Sequence, residues 1–476
     1  MGIKNKFFLF AITLSIAIFL CGCKNNAQPE KTETFYAESV VYVDGKEFYR
    51  MKTLRSEEIT ELTEQEESAV YIADNWFVDS LAGQLISDIS KKDGLSKDKA
   101  IEYVFNKGLR IHATVNLEIQ KMLEDSFDDS TLFSTRQGYA FAQSAMVIMD
   151  YDGHIIASVG GNNGDRTLNR AVRQKRPPGS AIKPLSVYSQ AVSDNSLHFS
   201  SLIPDQSIII HKNGVPTLWP NNHDNKTDPD VTLSKALRES KNTCAVQIAQ
   251  RYDSKSVLSF LKNQLGFTTL VENEAANDLN LAAFALGSLT KGTYLHELTA
   301  AYQIFGNGGF YNRPVMYTRV EAYDGKLLLE NNPEKKQVID SQSSGVLNRL
   351  LINTVEFKGA TGTAARLDGT EVFGKTGTTS EKHFIGGTPE YLAGVFIGID
   401  GDGDVGNSYS NAPAAIWREI MKKIPLTKNN FDIDPSLVTK DFCTISGKLA
   451  QKDCRSVEKG YYKPSNLLEV CTKCKS

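Results

Sequence analysis

Apolar positions along the chain change period several times, and each change predicts an element. A run of apolar and small residues, 7–20, follows Lys4 and Lys6 and has the layout of a targeting segment. Residues 24–34 are polar throughout and predict a structureless tether. From about 57 to 105 apolar residues recur at helical spacing (Val70, Ile72, Trp76, Phe77, Leu81, Leu85, Ile86), with a break at Asp93-Gly94. Residues 109–115 alternate like a strand, and 117–127 return to helix. Residues 145–159 predict a hairpin, two β-rich arms joined by Asp150-Tyr151-Asp152-Gly153. A mostly helical stretch with Gly- and Asn-rich loops spans 181–355. Strand patterns recur at 372–377, 383–387 and 391–400, and an amphipathic helix closes at 412–424. Two early strands, a helical insert, then three strands and a helix imply an α/β (α+β) sandwich. Its antiparallel sheet of about five strands is flanked by helices.

Composition narrows the class. The 476 residues are 41% hydrophobic and 23% charged, which is ordinary globular usage with length for a large core. A net charge of −3, with no basic stripe interleaved with aromatics, gives no sign of a nucleic-acid partner. No solenoid-type repeat is visible. Leu20-Cys21-Gly22-Cys23 resembles a bacterial lipobox, which implies lipidation of Cys23 as the first residue of a mature chain. The alternative is an uncleaved signal anchor, because residues 7–23 just reach the shortest length that spans a bilayer. Either reading places the rest of the chain outside the cytoplasm, at the outer face of the membrane. The expected organisation is a signal peptide at 1–23, a polar tether and start of the N-terminal region at 24–56, and a helical linker-like region at 57–115. The catalytic domain follows at 116–428, then a Cys-containing tail at 429–476.

Cys244 stands alone and reads as core, whereas Cys443, Cys454, Cys471 and Cys474 cluster in the tail. Four late cysteines outside the cell allow two disulfides in three possible pairings. Cys471-Thr472-Lys473-Cys474 also has metal-like spacing, but Cys443 and Cys454 form no second close pair, which favours disulfides or free thiols over zinc. Seven scattered histidines supply no ligand set. No metal and no cofactor is expected.

The chemistry concentrates in Pro177-Pro178-Gly179-Ser180-Ala181-Ile182-Lys183-Pro184. Two prolines stiffen the approach, Gly179 permits a sharp turn, and Pro184 is tolerable only near a helix N-terminus. It leaves the Ser180 carbonyl without its usual helical partner. At i, i+3 the Ser180 and Lys183 side chains share a face, with Cβ atoms roughly 5–6 Å apart, as a serine nucleophile and a lysine base require. The spacing alone is weak, since Ser456-Val457-Glu458-Lys459 repeats it. Ser240-Lys241-Asn242, opening another helix, and Lys375-Thr376-Gly377-Thr378, ending a strand, make it specific. Ser193-Asp194-Asn195 also matches a Ser-Asp-Asn element. It lies thirteen residues along the same helix, about 20 Å from Ser180 at roughly 1.5 Å per residue, and reads as the helix end.

Ser-x-x-Lys, Ser-x-Asn and Lys-Thr-Gly, in that order and setting, resemble the signature of penicillin-binding proteins. The resemblance extends over roughly residues 70 to 475: 109–120 is similar to the linker junction of class A members, as are 169–172, 285–287, 301–314, 359–365 and the tail around Cys443 and 446–448. It implies the penicillin-recognising serine transpeptidase fold. Fewer than a hundred residues separate Cys23 from the linker-like segment, too few for the glycosyltransferase domain of class A members. A transpeptidase served by a separate glycosyltransferase is the expectation.

The resemblance implies a D,D-transpeptidase acting on peptidoglycan stem peptides that end in D-Ala-D-Ala, and binding of β-lactam antibiotics. Ser180 is the implied nucleophile and Lys183 its base, with Lys375 the cation that depresses the Lys183 pKa. Ser240 is the implied proton relay and Asn242 orients Lys183. Lys375, Thr376 and Thr378 hold the substrate carboxylate, Gly377 leaves the strand edge bare for the substrate backbone, and the Ser180 and Thr378 amides form the oxyanion hole. Arg173, Lys175 and Arg176 read as a solvated approach. A D,D-carboxypeptidase shares every one of these residues. A β-lactamase is disfavoured because no Glu-x-x-Leu-Asn loop lies between Asn242 and Lys375, where Glu272, Glu274 and Asn277 have other spacing. A β-lactam sensor remains a third reading.

Overall fold

The computed structural model describes residues 37–64, 73–129, 142–162, 166, 168–332, 334–401 and 403–474. The signal peptide at 1–23 with Cys23, the tether at 24–34, and Val70 and Ile72 lie outside the described residues.

The hairpin predicted at 145–159 forms from Gln143–Asp150 and Ile155–Val159. The Asp150 carboxylate closes its turn by accepting from the amides of Asp152 and His154 at 2.9 Å each. Three later strands, Phe373–Thr378, Lys382–Gly387 and Tyr391–Gly398, join it in an antiparallel sheet. The five-strand order places Phe373–Thr378 at one edge, then Lys382–Gly387, Tyr391–Gly398, Gln143–Asp150 and Ile155–Val159.

Residues 145–149 are apolar at every position because both faces of this sheet are covered. Ala145, Val147 and Met149 join one core with Leu295, Leu298, Phe305 and Ile385. Met146 and Ile148 join the other with Phe384, Val395 and Trp417. Alternate side chains of a strand point to opposite faces, so a strand between two cores carries no polar alternation. Helix Leu295–Ala301 covers the first face and Ala412–Met421 the second, where Trp417 Nε1 donates to the Ala393 carbonyl at 3.2 Å.

The helical pattern of 57–105 resolves into Ser56–Glu64, Trp76–Asp93 and Lys97–Asn106. The middle helix starts where the Asn75 side chain accepts from the Val78 amide at 3.0 Å, and stops at Gly94 in the left-handed region. Within the region expected as tether and N-terminal start, Val40–Val43 and Lys46–Arg50 form a hairpin around Asp44-Gly45, both at positive φ. That Asp-Gly pair between β-rich arms is a turn signal. Val40–Val43 lies parallel to Arg110–Ala113, which in turn pairs with Tyr317–Glu321. No seam therefore separates 57–115 from 116–428, and the described residues belong to one compact unit. The tail joins it too: Phe199 meets Phe442, Tyr461 and Tyr462 with ring centroids 5.7–6.4 Å apart.

The insert 181–355 contains more strand than its periodicity predicts. Tyr317–Glu321 pairs with Leu327–Glu330, and Ile208–Lys212 with Val215–Trp219 around Asn213-Gly214. The second hairpin is exposed, so no buried stripe marks it in sequence. Among the described residues no helix is long and apolar enough to cross a membrane.

Candidate active site

Pro184 has no amide hydrogen, and the backbone before it tightens in response. Gly179–Ile182 form a 3₁₀ turn in which the Lys183 amide donates to the Ser180 carbonyl. The partner that Pro184 denies Ser180 is thus supplied one residue earlier. The chain then widens into a π turn at Pro184–Tyr188, with the Ser189 amide on the Pro184 carbonyl, before the α-helix Ser189–Ser193. Asn195, at φ +60°, ends the segment, as expected of Ser193-Asp194-Asn195. Ser456 and Lys459 lie on or beside the strand Val457–Tyr462, where residues three apart face opposite ways.

Gly179, at φ +53°, sits against the edge strand: a methyl there would come 2.9 Å from the Thr378 nitrogen and 2.8 Å from its carbonyl oxygen. Gly377 meets the same turn from the strand side. A methyl on it would lie 2.3 Å from the Pro178 carbonyl oxygen. Gly377 was expected to bare the strand for a substrate; its structural use is to let the Ser180 turn approach. Gly377→Ala is expected to push the turn away and cost about 1–3 kcal/mol of stability, read as a lower Tm.

Lys183 and Lys375 are fully buried and converge on Ser240 from two sides. Lys183 Nζ donates to the Ser240 carbonyl at 2.9 Å and to Asn242 Oδ1 at 2.7 Å. Lys375 Nζ donates to Ser240 Oγ at 2.8 Å and to the Thr376 carbonyl at 3.1 Å. Burial drives the Lys183 ammonium well below the ordinary lysine range, and the Lys375 charge adds to the effect. The expectation named Lys375 as the depressing group; desolvation is the larger cause. Burial also lowers Lys375 to about 7. Such displaced buried lysines mark candidate acid–base sites.

Ser240 itself is strained, at φ +58°. It closes helix Leu233–Arg238, its amide donating to the Leu237 carbonyl at 3.1 Å, in a position usually given to glycine. A network the sequence did not reveal holds it there. Asn222 Oδ1 accepts from the Asn242 and Thr243 amides at 2.8 and 3.2 Å, while its Nδ2 donates to Asp205 at 2.6 Å. Lys241, nearly buried, pairs with Asp205 at 3.4 Å and Asp224 at 3.5 Å. These partners lie many residues away along the chain, so no local pattern links them. Cys244 is fully buried, and burial raises its thiol to about 12.

The basic run expected as solvated is largely tied down. Arg173 pairs with the buried Asp79 at 2.7 Å, and Arg176 pairs with Glu381 and, at 3.4 Å, with Asp400. Lys175 is exposed, its ammonium 5.7 Å from the Tyr294 ring centre. Acids 79, 381 and 400 are too distant in sequence to predict this. The tail cysteines, expected as disulfides or free thiols, are free. Cys443 and Cys454, which form no close pair in sequence, nevertheless join Cys471 and Cys474 with their sulfurs within 4.8 Å of one another.

Several known proteins share this architecture. Penicillin-binding protein 1A of Clostridium botulinum is 30% identical over 400 residues, 79% of this chain and 47% of that protein. Penicillin-binding protein 4 of Bacillus subtilis is 29% identical, covering 70% of this chain and 53% of that protein. The chain thus spans about half the length of the curated relatives it matches. Penicillin-Binding Protein 1A from Haemophilus influenzae superposes with a TM-score of 0.64 at 16% identity, over 91% of this chain and 99% of that one. PonA1 of Mycobacterium tuberculosis, in complex with penicillin V, gives 0.60 at 17% identity over 74% and 95%. These two structures share the fold. The family described as the penicillin binding protein transpeptidase domain matches residues 144–404, which hold the hairpin from Ser144 onward, the Ser180 turn, Ser240-Lys241-Asn242 and the Lys375 strand. The chain belongs to the penicillin-binding protein transpeptidase family.

Proposed function

We propose that the protein is a D,D-transpeptidase that cross-links peptidoglycan stem peptides through an acyl-enzyme on Ser180, and that β-lactams acylate the same serine. The observation that carries this reading is Ser240, bonded by Lys183 on its carbonyl and by Lys375 on its hydroxyl. A hydroxyl bonded by one depressed lysine, on a residue whose carbonyl holds a second, supports a route for a proton.

In this reading neutral Lys183 takes the Ser180 proton as Oγ attacks the carbonyl of the penultimate D-Ala. The Ser180 and Thr378 amides receive the oxyanion. The proton passes through Ser240 to the departing D-Ala amine, and the acyl bond to Ser180 remains. An amine from a second stem peptide attacks that ester, loses its proton, and Ser180 recovers its hydrogen. Lys375, Thr376 and Thr378 hold the terminal carboxylate by charge-assisted hydrogen bonds. Anchorage through Cys23 or an uncleaved segment, an extracytoplasmic site of action and a separate glycosyltransferase partner belong to the same proposal.

The test supplies purified protein with a disaccharide carrying a D-Ala-D-Ala stem peptide, with and without an amine acceptor. Free D-Ala and an acceptor-dependent cross-linked product are expected. Hydrolysis alone, indifferent to acceptor, would reassign the protein as a carboxypeptidase, and rapid turnover of penicillin would make it a β-lactamase.

A further inference from the structure

The C-terminal segment brings four sulfurs together by a series of tight turns. Strand Val438–Cys443 ends on Cys443, whose carbonyl accepts from the Gly447 amide at 2.8 Å while its amide donates to the Lys448 carbonyl at 2.8 Å. The next turn carries Cys454, whose amide donates to the Gln451 carbonyl at 3.0 Å. The chain returns beside Leu449, which accepts from the Cys471 amide at 2.8 Å, and one turn later reaches Cys474.

The four Sγ atoms lie within 4.8 Å of one another, with Cys443 and Cys474 at 3.6 Å. Two disulfides would sort the sulfurs into two bonded pairs at about 2.05 Å. Here each sulfur instead neighbours all three others. Four thiolates at about 2.3 Å from a central Zn²⁺ form a tetrahedron with edges of about 3.8 Å, the spacing this cluster approaches. The Gln451 amide already donates to Cys454 Sγ at 3.4 Å, as outer-shell amides do to metal-bound thiolates. No carboxylate or imidazole shares the cluster.

We propose that Cys443, Cys454, Cys471 and Cys474 form a structural zinc site that holds the C-terminal segment against the helix presenting Ser240. The segment is short for a core of its own, a size at which metals commonly replace hydrophobic burial. It grips the catalytic body at defined points. Glu458 accepts both arms of Arg238 at 2.7 and 2.9 Å, and Arg238 ends the helix two residues before Ser240. Ser200 donates to the Gly447 carbonyl at 2.6 Å and accepts from the Tyr462 hydroxyl at 2.8 Å. Glu458 and Tyr462 share the strand Val457–Tyr462, paired along its length with the strand that ends on Cys443.

Metal analysis of the purified full chain tests the site directly. One zinc per chain is expected, and Co²⁺ in its place should give the intense visible absorption of a tetrahedral thiolate complex. Cys454→Ser and Cys474→Ser should each lose the metal and lower Tm by at least about 5 °C. A strong chelator should lower the wild-type Tm similarly, and zinc should restore it, which keeps the test alive if the variants fold poorly. Intact mass reporting two disulfides without metal, four free thiols without metal, or bound iron would each overturn the proposal.

Discussion

Ser180→Ala is expected to abolish covalent labelling by a fluorescent penicillin while leaving the melting transition in place. Ser180 is half-buried in a turn whose shape is set by Gly179, Pro184 and the Thr378 backbone rather than by its own hydroxyl. Removing that oxygen deletes the nucleophile and disturbs little packing, so a change in Tm of no more than about 1–2 °C is expected. Labelling read on a denaturing gel makes the comparison, since only an ester survives unfolding. Equal labelling of both proteins would end the assignment of Ser180 and, with it, the proposed acyl transfer.

Lys183→Met is expected to slow the same labelling by about 10²–10⁴-fold, the usual contribution of a positioned base. The fold should survive, because methionine replaces a desolvated cation with an apolar chain of similar length. The wild-type pH profile carries the sharper signature. Lys183 acts as base only when neutral, so acylation fails as pH falls through its depressed pKa. Lys375 holds a carboxylate only when charged, so capture weakens as pH rises through about 7 in the free protein. The apparent second-order rate of labelling should therefore be bell-shaped, and Lys183→Met should lose the acid limb. A profile unchanged in shape would remove Lys183 from the base role. Stability runs by the same linkage: Lys375 binds its proton less readily folded than unfolded. Its contribution is least favourable below about 7 and improves as pH rises toward the ordinary lysine value of 10.5.

The convergence of Lys183, Ser240, Asn242 and Lys375 was legible because each stands in a short pattern whose spacing has a local meaning. A turn with prolines, a helix start and a strand end are written within a few residues. The five-stranded sheet was legible for the same reason, since strand patterns at 145–159 and 372–400 survive burial on both faces. The hairpin at Asp44-Gly45 was also open to reading, through a turn signal of two residues.

Only folding decided the rest. The sequence called for Lys183 and Lys375 beside the Ser180 hydroxyl; both bond Ser240, and the strained backbone of Ser240 and its support by Asn222, Asp205 and Lys241 come from segments brought together in space. The two-sided use of Gly179 and Gly377 depends on how closely a turn packs against a strand, which no single segment encodes. Arg173 and Arg176 looked solvated until distant acids met them. Cys443 and Cys454, eleven residues apart, became neighbours of Cys471 and Cys474 because the turns of the tail fold back on one another. Short-range hydrogen bonding and side-chain period are set by neighbouring residues, whereas burial, charge pairing and ligand geometry depend on which distant segments share a volume.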